Sequence, residues 1–199
     1  MPAAIDSLSR RYPQIVVRVF QANTGTLESR ELREREVDLA LARIPRSFAA
    51  DDLDVEILYD DPHRVVAGTR SRWARRRKVT LADLVNESWI LTPNPFVRSL
   101  ITEVFKAQGL DVPPERVSAA SVLLRYDLLA TGGFLAVLPD SVVRYNAKRW
   151  SLKALPVDFG VSPRAIAIVT LKNRTVSPVV QLFVQHLRTA AKTMFASSR

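Results

Sequence analysis

From Ser121 to Pro139 the chain reads SVLLRYDLLATGGFLAVLP. No other stretch constrains the fold as tightly, because helix, glycine break, buried strand and proline stop follow one another directly. Ser121 is suited to accept from the open N–H groups of a first helical turn. Leu124, Leu128 and Leu129 are expected on one face of that helix. Gly132 and Gly133 supply left-handed backbone at little steric cost. Phe134 to Leu138 is a short apolar run of the kind covered on both faces in a parallel sheet. Pro139 ends it, and Asp140 or Ser141 starts a further helix. An αβ unit of this type belongs to a layered α/β domain, and its Ser121 end leaves backbone N–H groups open to an anion.

The rest of the chain alternates in the same way. A helix is expected over Ala3–Arg11, then a strand over Ile15–Phe20, a turn at Asn23–Thr26, a helix from Leu27 to about Glu34 and a strand over Val37–Ala42. Strands follow at Val55–Tyr59 and Arg64–Ala67, split by Asp60-Asp61-Pro62. Thr80-Leu-Ala-Asp83 has the spacing of a capping box. Trp89–Leu91 is a strand, and Pro93-Asn94-Pro95 is a tight loop before the most regular helix. In that helix Val97, Leu100, Ile101, Val104 and Phe105 repeat at helical spacing, and Gly109 stops it. Val117–Ala120 and Leu152–Val157 read as extended, and Ser141 to about Ala147 as helical. Arg164–Leu171 is a strand, and Ser177-Pro178 opens a closing helix with Val179, Leu182, Phe183, Leu187, Ala190 and Met194 on one face.

Composition removes several functions. Apolar residues make up 47% of the 199, enough for a core. There is no cysteine, so disulfides, thiolate metal sites and a cysteine nucleophile are excluded. No apolar run approaches a membrane span, and MPAAIDSLSRRYP has no signal-peptide core, so a cytoplasmic protein without a membrane partner is expected. His63 and His186 are the only histidines. No zinc-protease, phosphate-loop, dinucleotide or nucleophile-elbow pattern occurs. No catalytic residue, metal ligand or cofactor is expected, and the chain reads as a non-enzyme. The net charge of +9 is densest from Arg70 to Lys78. That run suggests either a polyanion contact or a solvated loop, and it lacks the interleaved aromatics of a single-strand binder.

Five phrases, RRYPQIVVRVFQANTGTL, EVDLALARIP, VTLADLVNESWIL, LLATGGFLAVLPDSV and TVSPVVQLFVQHLR, lie in the order and spacing of one family. Together they resemble the effector-binding domain of LysR-type transcriptional regulators. The resemblance implies a two-lobed, type 2 periplasmic-binding-protein-like α/β fold with two crossover strands, near Ala67–Ser71 and Asp158–Pro163. Lobe I would be 1–68 with 160–199, and lobe II 69–159. Met1 stands where the family's first helix begins, so the first strand of lobe I and the N-terminal winged helix-turn-helix are missing from this chain. That strand would lie between those expected at 15–20 and 37–42, so a distorted lobe I or an unusual dimer is expected. The family also carries glycine where Arg35 stands, which implies a strained left-handed arginine or a different helix end.

Matched to the family, the ligand would sit in the inter-lobe cleft. Asn23 and Thr24 would offer side-chain and helix N–H donors, and Arg43, leaving its strand at the carboxyl end, a guanidinium for a carboxylate. Thr92, Asn94, Phe96, Val97 and Arg98 would form the opposite wall, Asn94 as a polar handle, Phe96 as an apolar one, and the Val97 and Arg98 N–H groups as an anion seat. Ser121 and Val122 would face the same space. The implied function is sensing a small organic effector, a carboxylate by preference, to modulate DNA binding and transcription. DNA would be met only through the missing N-terminal domain, and the chain would form a homodimer or tetramer using the first helix and the 15–20 strand. The rival on the same fold is the solute-binding receptor of a transporter.

Overall fold

The structure, a computed structural model, describes residues 1–21, 30–160 and 164–196. The expected elements at Asn23–Thr26 and the start of the Leu27–Glu34 helix lie outside the described residues. The chain divides into two compact units, Met1–Asp60 with Arg164–Arg199, and Asp61–Pro163.

The first unit holds helices α1 (Pro2–Arg11), α2 (Arg30–Arg33) and α6 (Pro178–Ala196), and strands β1 (Ala40–Ile44), β2 (Leu53–Asp61) and β8 (Arg164–Leu171), whose order is β1-β8-β2. β1 runs antiparallel to β8, with Ala40 opposite Val169 and Ile44 opposite Ala165. Leu32, Ala42, Ile44, Ala167 and Val169 form a core on one side, while Ile168 joins Ala4, Val184 and Leu187 from α1 and α6 on the other. Alternate residues of β8 thus serve opposite faces, as a pleated strand requires.

Three expectations change here. Ile15–Phe20 forms no strand, and Val16, Val19 and Phe20 are 80%, 57% and 68% exposed. Their β-branched and aromatic side chains favour a pleated, half-buried surface, and no strand among the described residues pairs with them to supply one. β1 starts at Ala40 and not at Val37. In α6 the expected Leu187, Phe183 and Ala190 do pack on the core, but Val184 and Ala191 join them and Val179 is 46% exposed, so the packed face is only partly the expected one.

The second unit is a five-stranded sheet of order β5-β4-β6-β3-β7, with β3 (His63–Gly68), β4 (Trp89–Leu91), β5 (Glu115–Ser118), β6 (Leu135–Pro139) and β7 (Leu152–Ala154). β4 is parallel to both β5 and β6, and β3 is antiparallel to β6 and β7. Helix α3 (Pro95–Ala107) links β4 to β5, α4 (Val122–Ala130) links β5 to β6, and α5 (Asp140–Asn146) leads to β7. The strands alternate between two cores. Val65, Trp89, Leu135 and Val137 pack with Leu100, Ile101, Val104 and Phe105 of α3. Val66, Ile90, Ala136 and Leu138 pack with Tyr126 and Leu129 of α4 and Val143 of α5. The helices therefore cover opposite faces of the sheet, which explains the near-continuous apolar strand sequences.

Trp89 is fully buried, lies edge-on to Phe105 with ring centres 5.7 Å apart, and donates its Nε1–H to the Leu84 carbonyl at 3.0 Å. The Thr80 capping box forms, with the Thr80 N–H donating to Asp83 at 2.8 Å and the Asp83 N–H to the Thr80 hydroxyl at 3.3 Å. The break after α4 falls at Gly132, whose φ is +89°. A side chain there would lie 2.9 Å from the backbone of Arg70 and Ser71, so both conformation and space demand glycine. One expectation within α4 fails. Leu124 is 48% exposed, and the buried positions are Tyr126 and Leu129.

Candidate functional site

β4 and β5 run parallel, and their carboxyl ends are joined by the Ala119 N–H donating to the Leu91 carbonyl at 3.0 Å. Two helices start just beyond them on opposite faces of the sheet. In open α/β sheets this edge, where successive connections diverge to the two faces, is where ligands bind.

The local sequence shapes both starts. At α3, the Asn94 Oδ1 accepts from the Phe96 N–H at 2.9 Å, and the Thr92 hydroxyl accepts from the Asn94 N–H at 3.3 Å. Pro95, first in the helix, has no donor to satisfy. The Arg98 N–H is spent on the Asn94 carbonyl at 3.3 Å. That leaves the Val97 N–H as the open donor of the expected Val97–Arg98 seat. The Arg98 guanidinium is also committed, donating to both Glu115 oxygens at 2.9 and 2.6 Å. These bonds hold the Glu115 carboxyl below its ordinary range, with a smaller contribution from a Ser118 hydrogen bond. At α4, the Ser121 hydroxyl accepts from the Leu124 N–H at 3.3 Å, and the first-turn Val122 and Leu123 N–H groups stay open.

A third helix, α5, starts at the same end of the parallel strands and is closed by its own carboxylate. Asp61, fully buried, accepts from the Ser141 N–H at 2.8 Å and from its hydroxyl at 2.6 Å. Asp140 accepts from Arg64 at 3.1 Å and from Arg144. Of the three starts, only those of α3 and α4 are capped by neutral side chains alone.

The sequence missed two residues here. His63, first in β3 and opposite Pro139 of β6, brings its ring 6.1 Å from that of Phe96. Its one signal is its place directly after Pro62, where a strand begins. Arg125 sits one turn into α4, half-buried, with its Nε enclosed and without a hydrogen-bond partner. Burial pushes its pKa down. An arginine within the first turns of a leucine-rich helix is the signal that could have found it.

The expected residues thus divide. Thr92, Asn94, Phe96, Val97, Ser121 and Val122 come together around this edge, with Phe96 packed on the α3 core. Arg98 faces Glu115. Arg43 does not follow its strand but lies inside β1, opposite Ile166, in the first unit. Asn23 and Thr24 lie outside the described residues. A separate groove of about 450 Å³ runs along β2, β8 and α6, beside the Glu56–Arg188 ion pair. Among the described residues no three acidic or imidazole groups gather as a metal site, and no helix is long and apolar enough to cross a membrane.

The family model described as the LysR substrate binding domain matches residues 1–192. The chain is 26% identical to the HTH-type transcriptional regulator GbpR of Azospirillum brasilense over 191 residues, which is 95% of this chain and 56% of that protein. It is 25% identical to the transcriptional dual regulator GltC of Bacillus subtilis, over 93% of this chain and 61% of that one. It therefore spans little more than half the length of these curated relatives. The regulatory domain of CcmR from Synechocystis PCC6803, solved in complex with 2-PG, superposes with a TM-score of 0.75 at 22% identity, covering 97% of this chain and 91% of that one. A match of this extent settles the family, and the chain belongs to the LysR substrate-binding domains.

Proposed function

We propose that this chain senses a small organic anion, a carboxylate by preference, at the carboxyl edge of the second unit's sheet, and that occupancy alters how the regulator acts on DNA. The observation that carries this reading is the contrast among the three helix starts. α5 is neutralised by Asp61, whereas α3 and α4 present open N–H groups beside neutral caps. A helix N-terminus favours negative charge, and two of them at one edge favour it together. The CcmR domain, of the same fold, was solved with a small ligand, which supports a ligand-binding role. Phe96 supplies an apolar wall and Asn94 and Ser121 a polar rim, the mixture expected of a small-molecule site. A ligand that binds one arrangement of the regulator more tightly than another shifts the balance between them by that difference.

The test is a thermal-shift screen of organic acids and neutral sugars. A ligand at 100 times its dissociation constant stabilises by about 2.7 kcal/mol. Phe96→Ala and Ser121→Asp should abolish the shift given by an acid hit, and Arg43→Ala asks whether the first unit takes part. Ser121→Asp is the sharper variant. Aspartate caps a helix as well as serine does, so the unliganded protein should keep its melting temperature while the anion is repelled. An acid hit unaffected by both variants places the site elsewhere, and hits confined to sugars refute the anion.

A further inference from the structure

We infer that the second unit carries a duplex-DNA contact surface of its own, formed by the Arg70–Lys78 segment together with the turn before β7. The inference rests on reading the chain as part of a DNA-acting regulator, and it lies outside the effector site.

Six of the nine residues from Arg70 to Lys78 are basic, and the fold adds cations that are distant in sequence. β3 pairs with β7 so that Gly68 faces Leu152, and the Thr69 N–H donates to the Ser151 carbonyl at 2.7 Å. Thr69, next to Arg70, therefore lies beside Ser151, which follows the exposed Lys148–Arg149 pair by two residues. The Lys153 Nζ donates to the Ala74 carbonyl at 2.6 Å and fastens the short 3-10 turn Arg72–Arg75 against β7. Both acids that approach this surface are occupied. Glu87 pairs with Arg72, and Asp83 is held by Thr80 and feels Arg76. Arg70, Arg75, Arg77, Lys78, Lys148 and Arg149 are all exposed and have no acidic partner among the described residues.

The shape favours a phosphate backbone. After the 3-10 turn Arg76 is extended, Arg77 lies at a bend, and the chain returns to the core at the buried Val79, so Arg75 to Lys78 place four consecutive exposed cations on one short loop. Four residues span at most about 10 Å, a length over which duplex DNA presents several phosphates. The aromatics nearby are already engaged. Arg72 lies over Trp73 at 5.0 Å, and Arg149 over Trp150 at 5.5 Å, so no free ring offers a base-stacking platform. No large apolar residue among those more than a third exposed falls in this segment, which disfavours a protein partner with an apolar anchor.

The experiment measures binding of this chain to a labelled random-sequence duplex between 50 and 300 mM salt, by fluorescence anisotropy. The log–log salt slope is expected near −4 to −5, for about five neutralised phosphates. The triple variant R75Q/R77Q/K78Q should make that slope shallower by about 3, whereas K106Q/R116Q/K192Q, with equal charge loss elsewhere, should leave it nearly unchanged. Circular dichroism confirms that both variants are folded. Absence of salt-dependent binding overturns the inference, as does an equal loss in both variants, which would make the attraction one of bulk charge. Tighter binding to a poly-glutamate peptide than to DNA at equal salt also overturns it and points to an acidic protein. None of these outcomes bears on the thermal shifts of the effector screen.

Discussion

Replacing Arg35 with glycine should stabilise the protein. α2 ends in a Schellman motif. The Glu36 N–H donates to the Glu31 carbonyl at 2.9 Å, and the Arg35 N–H to the Leu32 carbonyl at 3.2 Å. This closure needs a left-handed residue at position 35, and Arg35 takes it, with φ of +63°. The conformation costs a non-glycine residue about 1 to 2 kcal/mol. Glycine removes that cost and returns about 0.5 to 1 kcal/mol as added freedom of the unfolded chain. The exposed arginine side chain has no ion pair among the described residues, so little else is lost. The net gain is about 0.5 to 1 kcal/mol, or about 1 to 4 °C in a chain of this size. Trp73, Trp89 and Trp150 all lie in the second unit, so calorimetry or far-ultraviolet circular dichroism is the assay, not tryptophan fluorescence. Asn173 has φ of +60° and provides the comparison. Asparagine tolerates that region, so Asn173→Gly should gain nothing. A destabilised Arg35→Gly, or an equal gain at Asn173, would refute the strain argument.

Three further outcomes follow from particular contacts. Asp61→Ala strands the part-buried Ser141 N–H and hydroxyl and should cost about 1 to 3 kcal/mol in urea unfolding, whereas Asp61→Asn keeps an acceptor and should cost less. In Gly68→Ala the new methyl would lie 2.0 Å from the Leu129 carbonyl oxygen, so β3 and α4 must separate. The cost should reach about 3 kcal/mol, against about 1 kcal/mol for Gly109→Ala, where only the left-handed φ is strained. The hydrogen bonds from Arg188, helped to a lesser degree by its positive charge, lower the Glu56 pKa in the folded state. Its contribution is therefore complete above the unfolded carboxyl range near 4 to 4.5 and is lost as pH falls through the folded pKa. The gap between wild type and Glu56→Gln, a few tenths of a kcal/mol for so exposed a pair, should be present at pH 7 and shrink progressively as the pH falls below the unfolded carboxyl range.

What the sequence made legible was local. The α3 pattern gave its buried face, Leu100, Ile101, Val104 and Phe105, because periodicity and packing agree there. Ser121, the Thr80 box and Gly132 were legible because caps and left-handed turns are decided within a few residues. Failures arose where distant residues decide. Ile15–Phe20 has strand composition and no strand paired with it among the described residues. The Arg98 guanidinium goes to Glu115, seventeen residues away, while its N–H, expected in an anion seat, is spent on the Asn94 carbonyl. Leu124 fits the helical spacing but projects from the first turn of α4, beyond the sheet that covers Leu129. The neighbours of Lys148 and Arg149 depend on which strand lies next to β3, and no local pattern states that.

The two charge features of the second unit obey different physics and can be separated by salt. At the helix starts the positive potential comes from backbone N–H groups partly shielded by Phe96 and the sheet edge, so a bound anion is only weakly screened. On the Arg70–Lys78 segment it comes from exposed side chains, where the Debye length falls from about 30 Å at 0.01 M to about 3 Å at 1 M. If both proposals hold, raising the salt should strip a polyanion from the basic surface long before it empties the proposed effector edge. A protein whose effector affinity and duplex affinity fell in parallel with salt would have one electrostatic site and not two.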